Sequence, residues 1–245
     1  MKLKQLAALC ALSSAAAFTQ ASPIVWQDFS LSGLYGENYK VGTEDRTTIT
    51  AEYAAGFTKG DMFFFVDQQW DGNDEDSTYL EFSPRLSLGA ITGHDLSFGI
   101  VKDVLVSTTW EHNAGHGNNT EFNNFLYGVG FALKVPYTNY ANVNFYKVHN
   151  DLNANDYQMT ITYAIPVKAA GEEFLIDAFL DWSTAEKGAQ ASELNWTSQY
   201  KWNVGKHISP DTKLYLGVEH SVWNNKFGIK GVNQNDVSAL VKYHF

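Results

Sequence analysis

Along most of this chain apolar and polar residues alternate one by one. Near its C-terminal end Val237, Ala239, Val241, Tyr243 and Phe245 interleave with Asp236, Ser238, Leu240, Lys242 and His244. A period of two is the signature of a β-strand, whose successive side chains leave opposite faces. The same pattern sets Ile49, Ala51, Tyr53, Ala55 and Phe57 against Thr48, Thr50 and Glu52, and Tyr157, Met159, Ile161 and Tyr163 against Asp156, Gln158, Thr160 and Thr162. Phe174, Ile176, Ala178, Leu180 and Trp182 oppose Asp177 and Asp181, while Leu194, Trp196, Tyr200 and Trp202 oppose Asn195, Thr197, Gln199 and Lys201. No stripe of period 3.6 appears beyond the first 21 residues. The alternation predicts twelve strands, over 27–36, 47–57, 62–70, 78–89, 95–111, 121–135, 139–148, 156–165, 173–183, 193–204, 211–223 and 235–245.

The connections predict how the strands are arranged. Thr58–Asp61, Thr92–Gly93, Pro136–Thr138, Pro166–Gly171 and Gly205–Pro210 read as short turns. Between them come mostly longer polar stretches: Glu37–Arg46, Asp71–Ser77, His112–Thr120, His149–Asn155, Thr184–Ser192 and Asn224–Gln234. An even number of strands with apolar faces, aromatic residues at strand ends and alternating short and long connections is the pattern of a transmembrane antiparallel β-barrel, with short periplasmic turns and longer extracellular loops. A soluble sandwich accounts for the strands alone. Trp26, Tyr53, Trp70, Trp110, Trp182, Trp202 and Tyr243 are the candidates for the interfacial aromatic girdles.

Composition and charge refine this picture. The 245 residues carry 17 Lys and Arg against 27 Asp and Glu, a formal charge of −10. That balance argues against a bulk nucleic-acid binder, which must attract phosphate. Lys2 and Lys4, the apolar run from Leu6 to Phe18 and the small residues before a cut after Ala21 read as a secretory signal peptide over 1–21. Its removal takes two lysines, giving −12 for a single mature domain over 22–245. Cys10, the one cysteine, falls inside this leader, and Leu9 before it lacks the small side chain of a lipidation site. The mature chain therefore leaves the cytoplasm with no disulfide to staple it. No later run of eighteen apolar residues forms a spanning helix, and mean hydropathy is −0.26; alternating strands escape such averages.

In a barrel of this kind the polar face lines the lumen and carries the chemistry. Alternation nominates Asp28, Thr50, Glu52, Asp67, Tyr79, Glu81, Arg85, Asp95, Ser97, Asp103, Asn144, Thr160, Asp177, Asp181, Gln199, Lys201, Lys213, Glu219 and Lys242. Lys102 and Lys147 break the alternation, which implies a bulge or a position near the surface. In Met62–Gln68, parity with Asp67 turns Phe63 and Phe65 inward, and Phe179 shares the face of Asp177 and Asp181. Rings beside carboxylates suit a ring-plus-sugar solute: the ring stacks and the hydroxyls donate to the carboxylates. The plain alternative is that Phe63 and Phe65 fill the lumen.

Tyr79-Leu80-Glu81-Phe82-Ser83-Pro84-Arg85-Leu86-Ser87, followed by Asp95-Leu96-Ser97-Phe98-Gly99, resembles the nucleoside-specific channel-forming outer-membrane porins, the Tsx-like family. Glu52-Tyr53, the Lys59-Gly60-Asp61 turn and the Tyr157–Pro166 strand are similar too, and the spacing of aromatics is similar to the OmpK branch. The resemblance is sharp over 52–99 and looser afterwards. It implies a monomeric twelve-stranded barrel in the outer membrane of a Gram-negative bacterium. It implies a narrow lumen passing nucleosides down their gradient, and exposed loops used by bacteriophage. Glu81, Arg85 and Asp95 match the family pattern, with Arg85 expected to pair with Glu81. The C-terminal alternation ending on Phe245 resembles the signal read by the barrel-assembly machinery. Solute-binding candidates are thus Phe63, Phe65, Asp67, Tyr79, Glu81, Arg85, Asp177, Phe179 and Asp181.

Catalysis finds little support. His112 and His116 stand four apart in a glycine-rich loop, without a helix or a third ligand to make a metal site. His149 with Asp151 and His220 with Ser221 are isolated pairs, and no nucleophile elbow or phosphate loop occurs. Asp71, Asp74, Glu75 and Asp76 read as a solvated acidic loop, with divalent-cation binding as the alternative. No cofactor is expected. Three readings follow: a selective nucleoside or small-solute channel, a general narrow cation-preferring porin, and a plugged surface receptor or structural barrel.

Overall fold

The computed structural model describes residues 24–71, 76–115, 121–185 and 190–245. The leader predicted over 1–21 lies outside them, as do Asp74, Glu75 and His116. Twelve strands make up the fold: β1 (Ile24–Glu37), β2 (Arg46–Phe57), β3 (Gly60–Trp70), β4 (Ser77–Ser87), β5 (Val101–Gly115), β6 (Phe122–Leu133), β7 (Tyr140–His149), β8 (Asp156–Ala169), β9 (Glu172–Ser183), β10 (Glu193–Asn203), β11 (Lys213–Asn224) and β12 (Gln234–His244). Each pairs antiparallel with its neighbour in the chain, and β12 closes on β1 from Ser30 opposite His244 to Glu37 opposite Val237. Closure is what hydrocarbon demands, because it offers no partner to an unpaired backbone amide.

The distribution of polarity inverts that of a soluble domain. Side chains packed out of solvent contact include Lys201, Ser30, Ser107 and Ser238, whereas Phe29, Ile49, Val106, Phe125, Phe145, Trp196 and Leu216 stand on the surface. Apolar outward faces meet lipid, and the polar faces line the lumen. The registers make this continuous: the row Ser30, Glu52, Phe65, Glu81, Glu111 and Asn124 runs across six strands with every side chain inward. The small apolar cluster of Leu126, Tyr146 and Val148 is internal as well, under the wall formed by β6 and β7.

Val129 tests the outward assignment. It sits mid-strand on β6 between Val106 and Phe145. Val129→Arg is expected to destabilise the barrel by about 2–4 kcal/mol near the bilayer midplane, read from urea unfolding in lipid vesicles. An unchanged midpoint would mean that Val129 does not face lipid.

The turns explain the end-to-end asymmetry. Ala170 and Gly171 connect β8 to β9 with both residues at positive φ, 52° and 79°, the two-residue turn whose twist matches its strands. Thr58–Lys59 joins β2 to β3 as tightly. These lie at the end that also holds Phe245, whose N–H donates to Phe29 O; this is the periplasmic end by the general rule for such barrels.

At the same end the structure corrects one strand prediction. Residues 95–99 are not strand. Ser87 caps a short helix, α1 (Leu88–Thr92), by accepting from Ala90 N–H at 2.9 Å, and Gly93 ends it in the left-handed region. Asp95 then captures the N–H of Ser97 at 2.9 Å, a local turn that competes with any ladder. β5 begins only at Val101, so Asp95 and Ser97 belong to an exposed turn and not to the lumen. Hydrogen bonds from the Ser97 backbone and side chain hold the Asp95 carboxyl below its usual range. The connections 88–100 and 204–212 are accordingly longer than the turns the sequence suggests.

The alternation-breaking lysines find both of their predicted explanations. Lys102 lies at the register shift between Val101 and Asp103, and Lys147 stands exposed near the loop end of β7.

Candidate functional site

Each nominated lumen residue on β3, β4, β9, β10 and β12 has the inward parity predicted for it. Thr50 opposes Asp67, Glu52 opposes Phe65 and Ala54 opposes Phe63, so the register of β3 places all three candidates on the lumen side. Asp67 in turn opposes Tyr79, and Phe65 opposes Glu81.

Charge is layered along the axis. Toward the periplasmic end Lys242, Lys201 and Arg85 are paired. Lys242 donates to Glu52, which also accepts from Ser30 Oγ at 2.9 Å. Lys201, wholly buried, donates to Asp177 and to Gln199 Oε1 at 3.3 Å. Arg85 grips Asp61 with two hydrogen bonds of 2.7 Å each, and His244 Nδ1 lies 2.7 Å from Asp28.

Farther toward the loops the carboxylates have only neutral donors. Asp67 accepts from Thr50 at 2.6 Å, Glu81 from Tyr79 at 2.7 Å and Glu111 from Asn124 at 3.0 Å. Asp181 accepts from Thr160 at 2.5 Å and Gln158 at 3.2 Å, and Glu219 from Gln199 at 2.9 Å. Among the described residues these five form no ion pair. On β3, β4 and β9 the unpaired carboxylate (Asp67, Glu81, Asp181) sits loopward of the paired ion (Asp61, Arg85, Asp177). The outer half of the lumen therefore holds carboxyl groups in excess of its cations, Lys226 and Arg46, while the inner half is nearly balanced, an arrangement that favours cations over anions.

The pairing predicted between Arg85 and Glu81 is not made. Residues four apart on one strand are about 13 Å apart along it, beyond hydrogen-bond reach of each other's head groups. The directly opposite position on the next strand is only about 5 Å away, and there the register places Asp61.

Beside the carboxylates runs a ladder of rings. Phe63 and Phe65 have centroids 5.8 Å apart, Phe65 and Tyr79 also 5.8 Å, and Tyr79 and Phe122 6.3 Å. The ladder climbs from the paired-ion level past Asp67 and Glu81 to the loop end. Phe179 projects from β9, between Asp177 and Asp181 on the same face, and takes no part in these ring contacts. Phe122, Asp61 and Glu111 are lumen residues that the sequence reading did not single out. Parity from Asn124 nominates Phe122 once β6 is placed.

The girdle candidates divide. Tyr53, Trp70, Trp110, Trp182, Trp202 and Tyr243 face outward. Trp26 shares the inner face with Gly56, where a Cβ would lie 2.0 Å from the indole nitrogen. A register shift between Ile24 and Trp26 accompanies this placement.

At the loop end Lys226, 3% exposed, reaches into the mouth and donates to Gln234 Oε1 at 2.5 Å. Its ammonium lies 4.6 Å from the Trp223 ring centroid, 5.2 Å from Phe227 and 5.6 Å from Tyr39. Burial pushes this lysine down to about 7, Arg46 adds to that, and Asp236 opposes it. Tyr39 in turn contacts Ser238 Oγ at 3.1 Å, tying the β1–β2 connection to the inner face of β12.

His112 faces outward, its ring stacked on Trp110 at 5.8 Å, and no group of three metal-binding side chains is present among the described residues. His220 and Ser221 lie on opposite faces of β11; His220 Nε2 is 2.8 Å from Asn235 Oδ1.

Residues 21–244 match the family described as nucleoside-specific channel-forming protein, Tsx. An outer membrane protein OmpK of Vibrio parahaemolyticus is 26% identical over 231 residues, covering 89% of this chain and 84% of that protein. A second OmpK, from strain RIMD 2210633 of the same species, is 27% identical over 152 residues, 58% of this chain and 56% of that protein. Among solved structures, the KdgM porin covers 88% of this chain and 99% of its own, with a TM-score of 0.49 and 12% identity. Omp33 of Acinetobacter baumannii has a TM-score of 0.44 and 11% identity, covering 89% of this chain and 98% of its own.

Proposed function

The chain belongs to the nucleoside-specific channel-forming family, Tsx, and is a channel of the Gram-negative outer membrane; from that premise we propose that it passes nucleosides and related ring-bearing neutral solutes passively and selectively. The observation that carries this reading is the ladder Phe63–Phe65–Tyr79–Phe122 with Asp67 and Glu81 alongside it. A planar base stacks on such rings whatever its sequence of polar edges, at about 1–3 kcal/mol per base in other proteins. The sugar hydroxyls donate to the flanking carboxylates. Several weak stations in series let a solute both enter and leave, which conduction requires. The carboxyl-rich outer half disfavours phosphorylated solutes relative to neutral nucleosides.

Influx of labelled adenosine into proteoliposomes tests this. Saturable influx that thymidine competes away and galactose does not is the expected result. The five unpaired carboxylates also favour a second reading, a general cation-preferring porin. That reading gives influx linear in concentration with no competition between nucleosides.

A further inference from the structure

We infer that Arg85 is a strut that sets the size limit of the lumen. The inference rests on the channel reading above and concerns the cross-section, not the ladder.

Arg85 projects inward from β4, near the periplasmic end. On one side its Nε and Nη2 each donate to Asp61 at 2.7 Å, a bidentate grip that fixes the plane of the guanidinium. On the other side Nη1 points to Asn144 Oδ1 at 3.4 Å. Asn144 belongs to β7, three strands farther round the wall. The side chain therefore crosses in front of β5 and β6 instead of lying flat on β4.

Two features of the wall beneath permit this span. Ser107 on β5 donates to the same Asn144 oxygen at 3.1 Å, aiming it at Arg85. Gly130 on β6 lies between them. A Cβ there would come 2.2 Å from Ser107 Oγ and 2.3 Å from Asn144 Oδ1. Any larger residue at 130 would push the acceptor away. Arg85 is mostly buried, its side chain 13% exposed, so it is packed into this bridge and not waving in the lumen. The strut closes the sector under β4–β7 to solutes and directs passage along the remaining wall, where Phe63, Phe65 and Phe179 project. The bridge acts by bulk and reach. Lysine, a point charge on a flexible stem without the planar fork, cannot hold both ends.

The test is polymer exclusion in planar bilayers, using polyethylene glycols of graded mass on wild type, Arg85→Ala, Arg85→Lys and Asn144→Ala. Folding of each is checked by heat-modifiable migration on unboiled gels. Arg85→Ala and Arg85→Lys are both expected to raise single-channel conductance and admit larger polymers. Arg85→Lys should leave the reversal potential in a salt gradient unchanged, because it keeps the charge. Asn144→Ala, which retains the Arg85–Asp61 pair, should shift the cut-off in the same direction by less; it carries the test alone if the Arg85 variants do not fold. Wild-type current with an unmoved cut-off in the folded variants would overturn the strut. Absence of current in folded wild type and variants alike would overturn the channel reading, and the strut with it.

Discussion

Phe65→Ala is expected to weaken block of the channel by nucleosides about tenfold, the lower part of the 1–3 kcal/mol that one aromatic stacking partner contributes per base. Phe65 is the rung whose loss divides the ladder. It is the ring partner of both Phe63 and Tyr79, at 5.8 Å in each case, so its removal separates Phe63 from the two rungs above. It also opposes both Glu52 and Glu81 in the register, so a base stacked on it has carboxylates within reach of its sugar on either side. Phe65→Tyr keeps the ring and should keep the block. The readout is the nucleoside concentration that halves the open-channel current at fixed salt. Phe179→Ala, on β9 and outside the ladder, should change it far less. Equal effects at Phe65 and Phe179 would mean that the rings act only as lumen filler.

Lys201→Ala is expected to be the most destabilising single change in the lumen, at about 3 kcal/mol, the lower end for breaking a buried ion pair. Lys201 has no solvent contact, and its ammonium is held by Asp177 and Gln199 beneath the Tyr215 ring, 5.9 Å from the ring centroid. Removing it leaves Asp177, 24% exposed, as an uncompensated carboxylate in a narrow lumen. That partial exposure keeps the cost at the lower end. Lys201→Met combined with Asp177→Asn removes both charges and should recover more than half of the loss. Urea midpoints in vesicles measure both. A double variant no better than Lys201→Ala would show that the pair contributes packing and not charge compensation.

Much of the lumen was legible from the sequence because parity is an all-or-none property of a strand. Once Asp67 faces inward, Phe63 and Phe65 must as well, and the same holds for Tyr79, Glu81 and Arg85 on β4 and for Asp177, Phe179 and Asp181 on β9. Partnership was not legible, because it depends on register between strands. Arg85 finds Asp61 across the β3–β4 pair, and Asn144 from β7, neither of which its own strand names. The ladder's top rung, Phe122, comes from β6 and meets Tyr79 of β4 over Asn113 of β5, which the register pairs with both. The segment 95–99 failed for a local reason: Asp95 bonds the Ser97 amide within its own turn, which overrides an alternation that otherwise reads as strand. Trp26 was legible by the same parity: it shares the face of Asp28 and Ser30 and pairs with Gly56 in the unbroken register, so its place at a strand end does not put it in the outer girdle.

Whether the lumen is an open path with a solute site along the Phe63–Phe122 wall is decided by single-channel conductance of the refolded protein in a planar bilayer, titrated with adenosine. Saturable block of the current that Phe65→Ala weakens is the expected result. Steady current untouched by adenosine at any concentration would contradict it.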